Sequence, residues 1–284
     1  MQPRQVTGRT RAAIIAVDRF AFWFARHWLG VFIVLYGAYV LVPFLAPVLM
    51  QLGAADAANV IYGIYSLVCH QLPQRSLFLF GAQPMYSLAE IKAVWQLDGF
   101  LGLRQFVGNP EFGYKVAWSD RMISFYGSIW VGAILFAFAR RRIRSLSPVV
   151  WFFIGILPVG LDGITHMIND ALAGTSGAGF RDTNAWLAFL TGNLFPPSFY
   201  MGDALGSFNS DLRWMTGFLF GLTTVWFLFP FIEDAMRDLQ NQASAQWQRA
   251  MVGHGGGSAS SNQTPATSAM NDGASLVVHQ HESA

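Results

Sequence analysis

Charge is scarce in this chain of 284 residues: Asp, Glu, Lys and Arg make up 12% of it. That is about half the roughly 25% of ordinary globular domains and argues against a soluble enzyme. Cysteine is almost missing. Cys69 stands alone, so no intrachain disulfide forms, while a packing residue, a nucleophile and half of an intermolecular bridge all stay open for it. Neither sign of charge dominates, with a formal net charge of +2. No basic stripe interleaves with stacking aromatics, and nucleic acid is not an expected partner. A glycine-rich phosphate loop, a zinc-type spacing of Cys and His and a serine nucleophile elbow are also lacking. A cleavable export signal is not expected, because the first apolar patch, residues 12–16, is short and broken by Asp18 and Arg19.

Apolar residues are what the chain has in excess, at 53%, with 15% aromatic. Four stretches contain no charged side chain: Leu29 to Met50, Met122 to Ala139, Ser145 to Leu161 and Trp214 to Ile232, of 22, 18, 17 and 19 residues. At about 1.5 Å per residue they reach roughly 26 to 33 Å, the thickness of the bilayer hydrocarbon. The fold class is therefore read as all-α, an integral membrane helical bundle with four main transmembrane helices. Two further apolar pieces are read as short re-entrant or interfacial helices. Ala57 to Cys69 is only 13 residues long, and Ala185 to Met201 is interrupted by Asn193 and the Pro196-Pro197 pair, which breaks the hydrogen-bond ladder that hydrocarbon demands.

Lys and Arg near span ends are retained in the cytoplasm. Arg4, Arg9, Arg11, Arg19 and Arg26 precede the first span, and Arg140, Arg141, Arg142 and Arg144 lie between the second and third. The expected organisation is a cytoplasmic basic segment at 1–28, a membrane domain at 29–232 with an extracytoplasmic cap at about 70–121, a cytoplasmic helix at 233–252 and a disordered tail at 253–284. The chain is placed in the cell inner (plasma) membrane with both termini cytoplasmic. If both short pieces crossed, the sidedness of 70–121 would invert. Within the cap, Met85, Leu88, Ile91 and Trp95 have near-helical spacing behind a Ser87…Glu90 capping box.

Ionisable groups near hydrocarbon are the best functional pointers. Asp162, His166 and Asp170 lie at i, i+4 and i+8, on one helical face with Asn169 beside them, after a Pro158 and Gly160 expected to kink the helix. Such a row binds a cation or relays protons, or else is a structural ion pair with Asp170 merely solvated. Asp162 and His166 are the metal candidates, on a spacing of little specificity. A second group begins where the short apolar piece ends: Cys69, His70, Gln71, then Arg75 and Ser76 beyond Pro73. Packing is the preferred role for the Cys69 thiol. A third group comprises Asp120 and Arg121 at one span end and Arg213 at another, with Arg75, Arg104 and Arg181 expected at the same face. These arginines make either a buried ion network or an anion-binding pocket.

Cys69-His70-Gln71 with Arg75-Ser76, Asp120-Arg121 to Tyr126-Gly127, Pro158 with Asp162-Gly163, and Arg213 with Thr216-Gly217 resemble an uncharacterised prokaryotic membrane-protein family. It is known only as a domain of unknown function, number two thousand and eighty-five in its series. The resemblance covers about residues 60–230. Members commonly carry a Cys-Ala-Arg-Cys string where this chain has Ser119-Asp120-Arg121-Met122, so a three-cysteine metal site is not expected here. They usually have Gln where His166 stands. The resemblance implies no activity, and no cofactor is indicated.

Two functional readings follow. The first is an accessory, assembly or structural subunit of a membrane complex, motivated by the missing catalytic signatures and by Gly127, Gly132, Gly217 and Gly221, which allow close helix approach. The alternative is a membrane enzyme or transporter whose outward-facing polar pocket acts on a lipid-linked or phosphate-bearing ligand. Partners are the lipid bilayer and either other membrane subunits or further copies of this chain.

Overall fold

The computed structural model describes residues 9–140 and 142–255. Helix α1 (Arg9–Leu41) continues through a 3-10 turn (Val42–Phe44) into α2 (Leu45–Gln51). Pro43 and Pro47 divide this stretch, since a proline offers no N–H to the carbonyl four residues back. After the cap come α6 (Asp120–Ala139), then α7 (Pro148–Val150), a π-helical stretch (Trp151–Ile156), α8 (Leu157–Ala173) and finally α12 (Phe208–Gly255). That π stretch lies just upstream of Pro158 and Gly160, where a kink was expected.

Four helices are long and apolar enough to cross a membrane: Ile15–Gln51, Asp120–Ala139, Pro148–Ala173 and Phe208–Ala245. The chain is a multi-pass membrane protein of all-α architecture. Several of these helices outrun the charge-free stretches, because helical structure does not stop at a charge that finds a partner. α8 carries Asp162, His166 and Asp170, on the helical face expected for them, beyond the charge-free stretch that ends at Leu161.

The two short pieces are helical fragments. α3 (Ala55–Tyr65) packs on α2, and 185–201 divides into α10 (Ala185–Leu190) and α11 (Pro197–Tyr200) at the double proline, preceded by α9 (Phe180–Thr183). Helices α6 and α12 meet along a seam of small residues. A side chain at Gly217 would collide with Ser124, and one at Gly221 with Ser128. Ser124 Oγ donates to the Arg213 carbonyl at 3.2 Å and Ser128 Oγ to that of Gly217 at 3.3 Å. Residues up to Gln240 form one compact unit. Those from Asn241 form a second, whose described part is the helical end of α12 through Gly255, so the tail expected to be disordered from 253 begins as helix and lies otherwise outside the described residues.

The cap holds a feature that helical periodicity did not predict, a three-stranded antiparallel sheet. Its order is β1 (Ser76–Leu79), β3 (Gly113–Ser119), β2 (Gly108–Asn109), with Ser76 opposite Ser119 and Phe78 opposite Lys115. Val116, Ala117 and Trp118 are all fully buried, so β3 shows no polar alternation to betray a strand. Helix α4 (Leu88–Val94) starts on the expected capping box, with Glu90 N–H donating to Ser87 Oγ and Ser87 N–H to Glu90 Oε2. α5 (Gly99–Arg104) follows. Leu72, Phe78, Tyr86, Ile91, Leu103, Phe106 and Phe112 form the cap's core. β3 runs without a break into α6, which sets Asp120 and Arg121 at the seam between cap and bundle.

Candidate functional site

At that seam four arginines meet four aspartates. Asp120, the first residue of α6, receives Arg213 Nε at 2.8 Å and Ser210 Oγ at 3.3 Å. Arg213, on the first turns of α12, also donates from Nη1 to Asp203 Oδ1 at 2.6 Å. Asp203 takes Arg75 Nε on its other oxygen at 2.9 Å, and Arg75 places Nη1 and Nη2 on the two Asp170 oxygens at 2.8 Å each. Two turns earlier on the same face of α8, Asp162 receives Arg121 Nη2 at 2.7 Å and Arg181 Nη2 at 2.8 Å.

His166 joins the two halves. Its Nδ1 lies 3.0 Å from the Asp162 carbonyl and 3.2 Å from Asp162 Oδ1, while Nε2 lies 3.3 Å from Arg213 Nη1. Arg121 Nη2 and Arg181 Nη2 also approach Nδ1, at 3.4 and 3.3 Å. The four arginines and four aspartates cancel in charge, as burial at the edge of hydrocarbon requires.

Local structure explains how loop residues reach this cluster. Asn184, in the left-handed region at φ 40°, donates from Nδ2 to the Arg181 carbonyl at 2.7 Å and the Tyr200 carbonyl at 2.8 Å. Asn209 Nδ2 binds the Gly202 carbonyl at 2.9 Å, and Asn169 Oδ1 accepts the Arg181 N–H at 2.8 Å. These buried amides lock the 179–207 segment over α8 and α12. Burial pushes the Asp203 carboxyl up, but Arg75 and Arg213 hold it well below the usual carboxylate range. Burial opposes charge on Arg75 as well, yet Asp203 and Asp170 keep its guanidinium above its ordinary value.

A cavity of about 450 Å³ opens beside the cluster. Its polar wall includes Arg75, Asp120, Arg121, His166, Asp170 and Arg213, and its apolar wall includes Val68, Leu72, Phe100, Met122 and Met167. Arg121 commits only Nη2; its Nε is buried with no acceptor. Cys69, His70 and Gln71 form one rim. Cys69 is packed among Tyr62, Tyr65 and Trp118, and its sulfur accepts the Gln71 N–H at 3.4 Å. Gln71, at φ 52°, ties Nε2 to the Tyr62 carbonyl at 3.0 Å. Ser76 is buried on β1 and donates to the Leu72 carbonyl.

The structure thus gathers Asp120, Arg121, Asp162, His166, Asp170, Arg75 and Arg213, and corrects several details. Asp170 is not merely solvated at a helix end. It is the bidentate partner of Arg75, which also offsets the unfavourable placement of an acid near the helix C-terminus. Arg104 stands apart, donating to the Ser66 carbonyl at 2.7 Å. Of the metal candidates Asp162 and His166, Asp162 has guanidiniums on both oxygens, and among the described residues no three His, Cys, Asp or Glu side chains are grouped to hold an ion. The sequence reading missed Asp203, which sits in an aperiodic loop between Gly202 and Gly206. Its one signal was an acid within ten residues of Arg213 just ahead of a span.

No family model matches this sequence, and no solved structure matches it. The chain is similar to the uncharacterised protein MJ1492 of Methanocaldococcus jannaschii, 26% identical over 193 residues, which cover 66% of this chain and 81% of that protein.

Proposed function

We propose that this membrane protein binds the anionic head group of an amphiphile, a phosphate or a carboxylate, in the cavity between cap and bundle. The observation that carries this reading is Arg121, which lines the cavity with its side chain 18% exposed and shares its one carboxylate, Asp162, with Arg181. A guanidinium that holds only part of one carboxylate keeps donors for an anionic oxygen in a charge-assisted bond. The cavity volume falls within the range of small-molecule sites. Its apolar wall, with Met167 and Val68 exposed, suits the first carbons of a tail that continues into the bilayer. Arg75, Arg181 and Arg213 keep their carboxylates and serve as scaffold. With both termini cytoplasmic, the cavity faces the outer leaflet, and membership of the family that the Cys69-His70-Gln71 string resembles belongs to the same reading.

The reading as an accessory subunit drew on small-residue stripes. Gly217 and Gly221 pack against Ser124 and Ser128, and Gly132 against Val225, so these glycines are occupied within the chain.

The test uses full-length protein in detergent, titrated with farnesyl phosphate and with farnesol, which share a tail and differ in the anion. The phosphate should bind about tenfold tighter or better, and Arg121→Gln should erase that difference without lowering the melting temperature by much. Equal binding of the two probes to the unaltered protein would end this reading.

A further inference from the structure

We propose that the opposite end of the bundle holds a second site, for the phosphodiester head group of a membrane phospholipid. The argument starts at Pro230, inside α12. Because proline has no N–H, the carbonyl of Trp226, four residues earlier, lacks its helical donor. The loop between α6 and α7 supplies one: Leu146 N–H donates to the Trp226 carbonyl at 3.3 Å, and Ser145 Oγ donates to the neighbouring Phe227 carbonyl at 2.8 Å. Trp226 returns the contact, its Nε1 donating to the Arg144 carbonyl at 3.0 Å. Three hydrogen bonds therefore pin an arginine-rich loop to a helix at the point where that helix lacks a backbone donor.

The pinned loop borders an open groove of about 530 Å³, lined by Arg142, Arg144, Ser145, Ser147, Val150 and Trp226 among others. α6 rises about 30 Å from the cap over its 20 residues, so this groove lies at the far membrane boundary. Two acids of α12 lie toward this end. Glu233 is buried and committed to Trp28 Nε1 at 3.0 Å, Arg140 at 3.0 Å and Arg237 at 3.1 Å, and Asp234 is exposed and 3.9 Å from Arg237. Arg142 and Arg144 form no ion pair among the described residues, and both are exposed. Two uncompensated guanidiniums, two serine hydroxyls and a half-exposed indole at the interface match a phosphodiester with its glycerol, and Val150 extends the wall toward the acyl region. This site uses none of the residues of the cap cavity and does not depend on the function proposed for it.

The experiment is native mass spectrometry of the full chain in non-ionic detergent with phosphatidylglycerol or phosphatidylcholine of matched acyl chains. Phosphatidylglycerol should be retained preferentially. A guanidinium at an anionic surface strengthens binding about fivefold, so Arg142→Gln with Arg144→Gln should weaken phosphatidylglycerol retention about thirtyfold. Arg121→Gln, which alters the cap cavity, should leave it unchanged. Trp226→Phe, which removes the anchor on Arg144, should weaken retention with both arginines present. Equal retention of the two lipids by the unaltered protein, or undiminished phosphatidylglycerol retention in the double variant, overturns the proposal. Competition by inorganic phosphate as effective as lipid would also overturn it, marking a free-phosphate site.

Discussion

Asp162 and Arg213 are both almost fully buried, yet they do not pair with each other. His166 stands between them, 3.2 Å from an Asp162 oxygen on one side and 3.3 Å from an Arg213 nitrogen on the other. Each charge is satisfied by other residues: Asp162 by Arg121 and Arg181, Arg213 by Asp120 and Asp203. The imidazole is thus a spacer that lets two ion-pair groups share one buried volume without drawing their charges into a single collapsed pair.

Asp203 serves two arginines, whereas Asp170 serves one and is 23% exposed. Asp203→Asn should therefore cost about 3 kcal/mol or more, the range for removing one member of a buried pair, and Asp170→Asn distinctly less. Thermal unfolding of the two variants in one detergent checks the ranking, which fails if they melt together.

The seam between α6 and α12 predicts an asymmetry among glycines. Gly217→Leu should lose about 1–3 kcal/mol or more through overpacking against Ser124, while Gly127, with nothing within 4 Å of an added Cβ, should accept alanine at no loss. Comparable melting of the two variants would show that the seam does not close as described.

Lys115 supplies a pH signature. Its ammonium is fully buried on β3, donates to the Gln71 and Arg104 carbonyls at 2.9 and 2.6 Å, and has no ion pair among the described residues. Burial pulls it down to about 7 from 10.5. Between those values the unfolded chain holds a proton that the folded chain does not, so stability rises with pH from about 7 to about 10.5 and is level outside that window. The full swing is on the order of 5 kcal/mol. Melting temperatures from pH 6 to 10 should show this rise, and Lys115→Met should flatten it; an unchanged slope in the variant assigns the rise elsewhere.

Ser87→Ala should lose about 1 kcal/mol, since it removes the acceptor for the Glu90 N–H and half of the capping box of α4. Hydrogen exchange confined to α4 measures it, and faster exchange throughout the bundle instead would contradict a local role.

Much of the site was legible where it rested on periodicity. Asp162, His166 and Asp170 share a helical face by spacing alone, and Asp120 and Arg213 stand at ends of charge-free stretches. Arg75 and Arg181 were expected at the same face, but which acid each one meets was not legible, and Asp203 was not legible at all. Asp203 and Arg181 lie in the 179–207 segment, whose course depends on Asn184 and Asn209 reaching backbone carbonyls far along the chain. β3 was hidden because both its faces are buried, leaving no alternation to read.

What the sequence determined unaided is the membrane: the scarcity and segregation of charge demand spans of hydrocarbon length, because an unpaired charge there is too costly to keep. Which acid meets which arginine, and whether a cavity remains beside them, was decided only by tertiary structure. Ion pairing is set by distance in space, and residues as remote in the chain as Arg75 and Asp203 become neighbours only when the cap closes on the bundle.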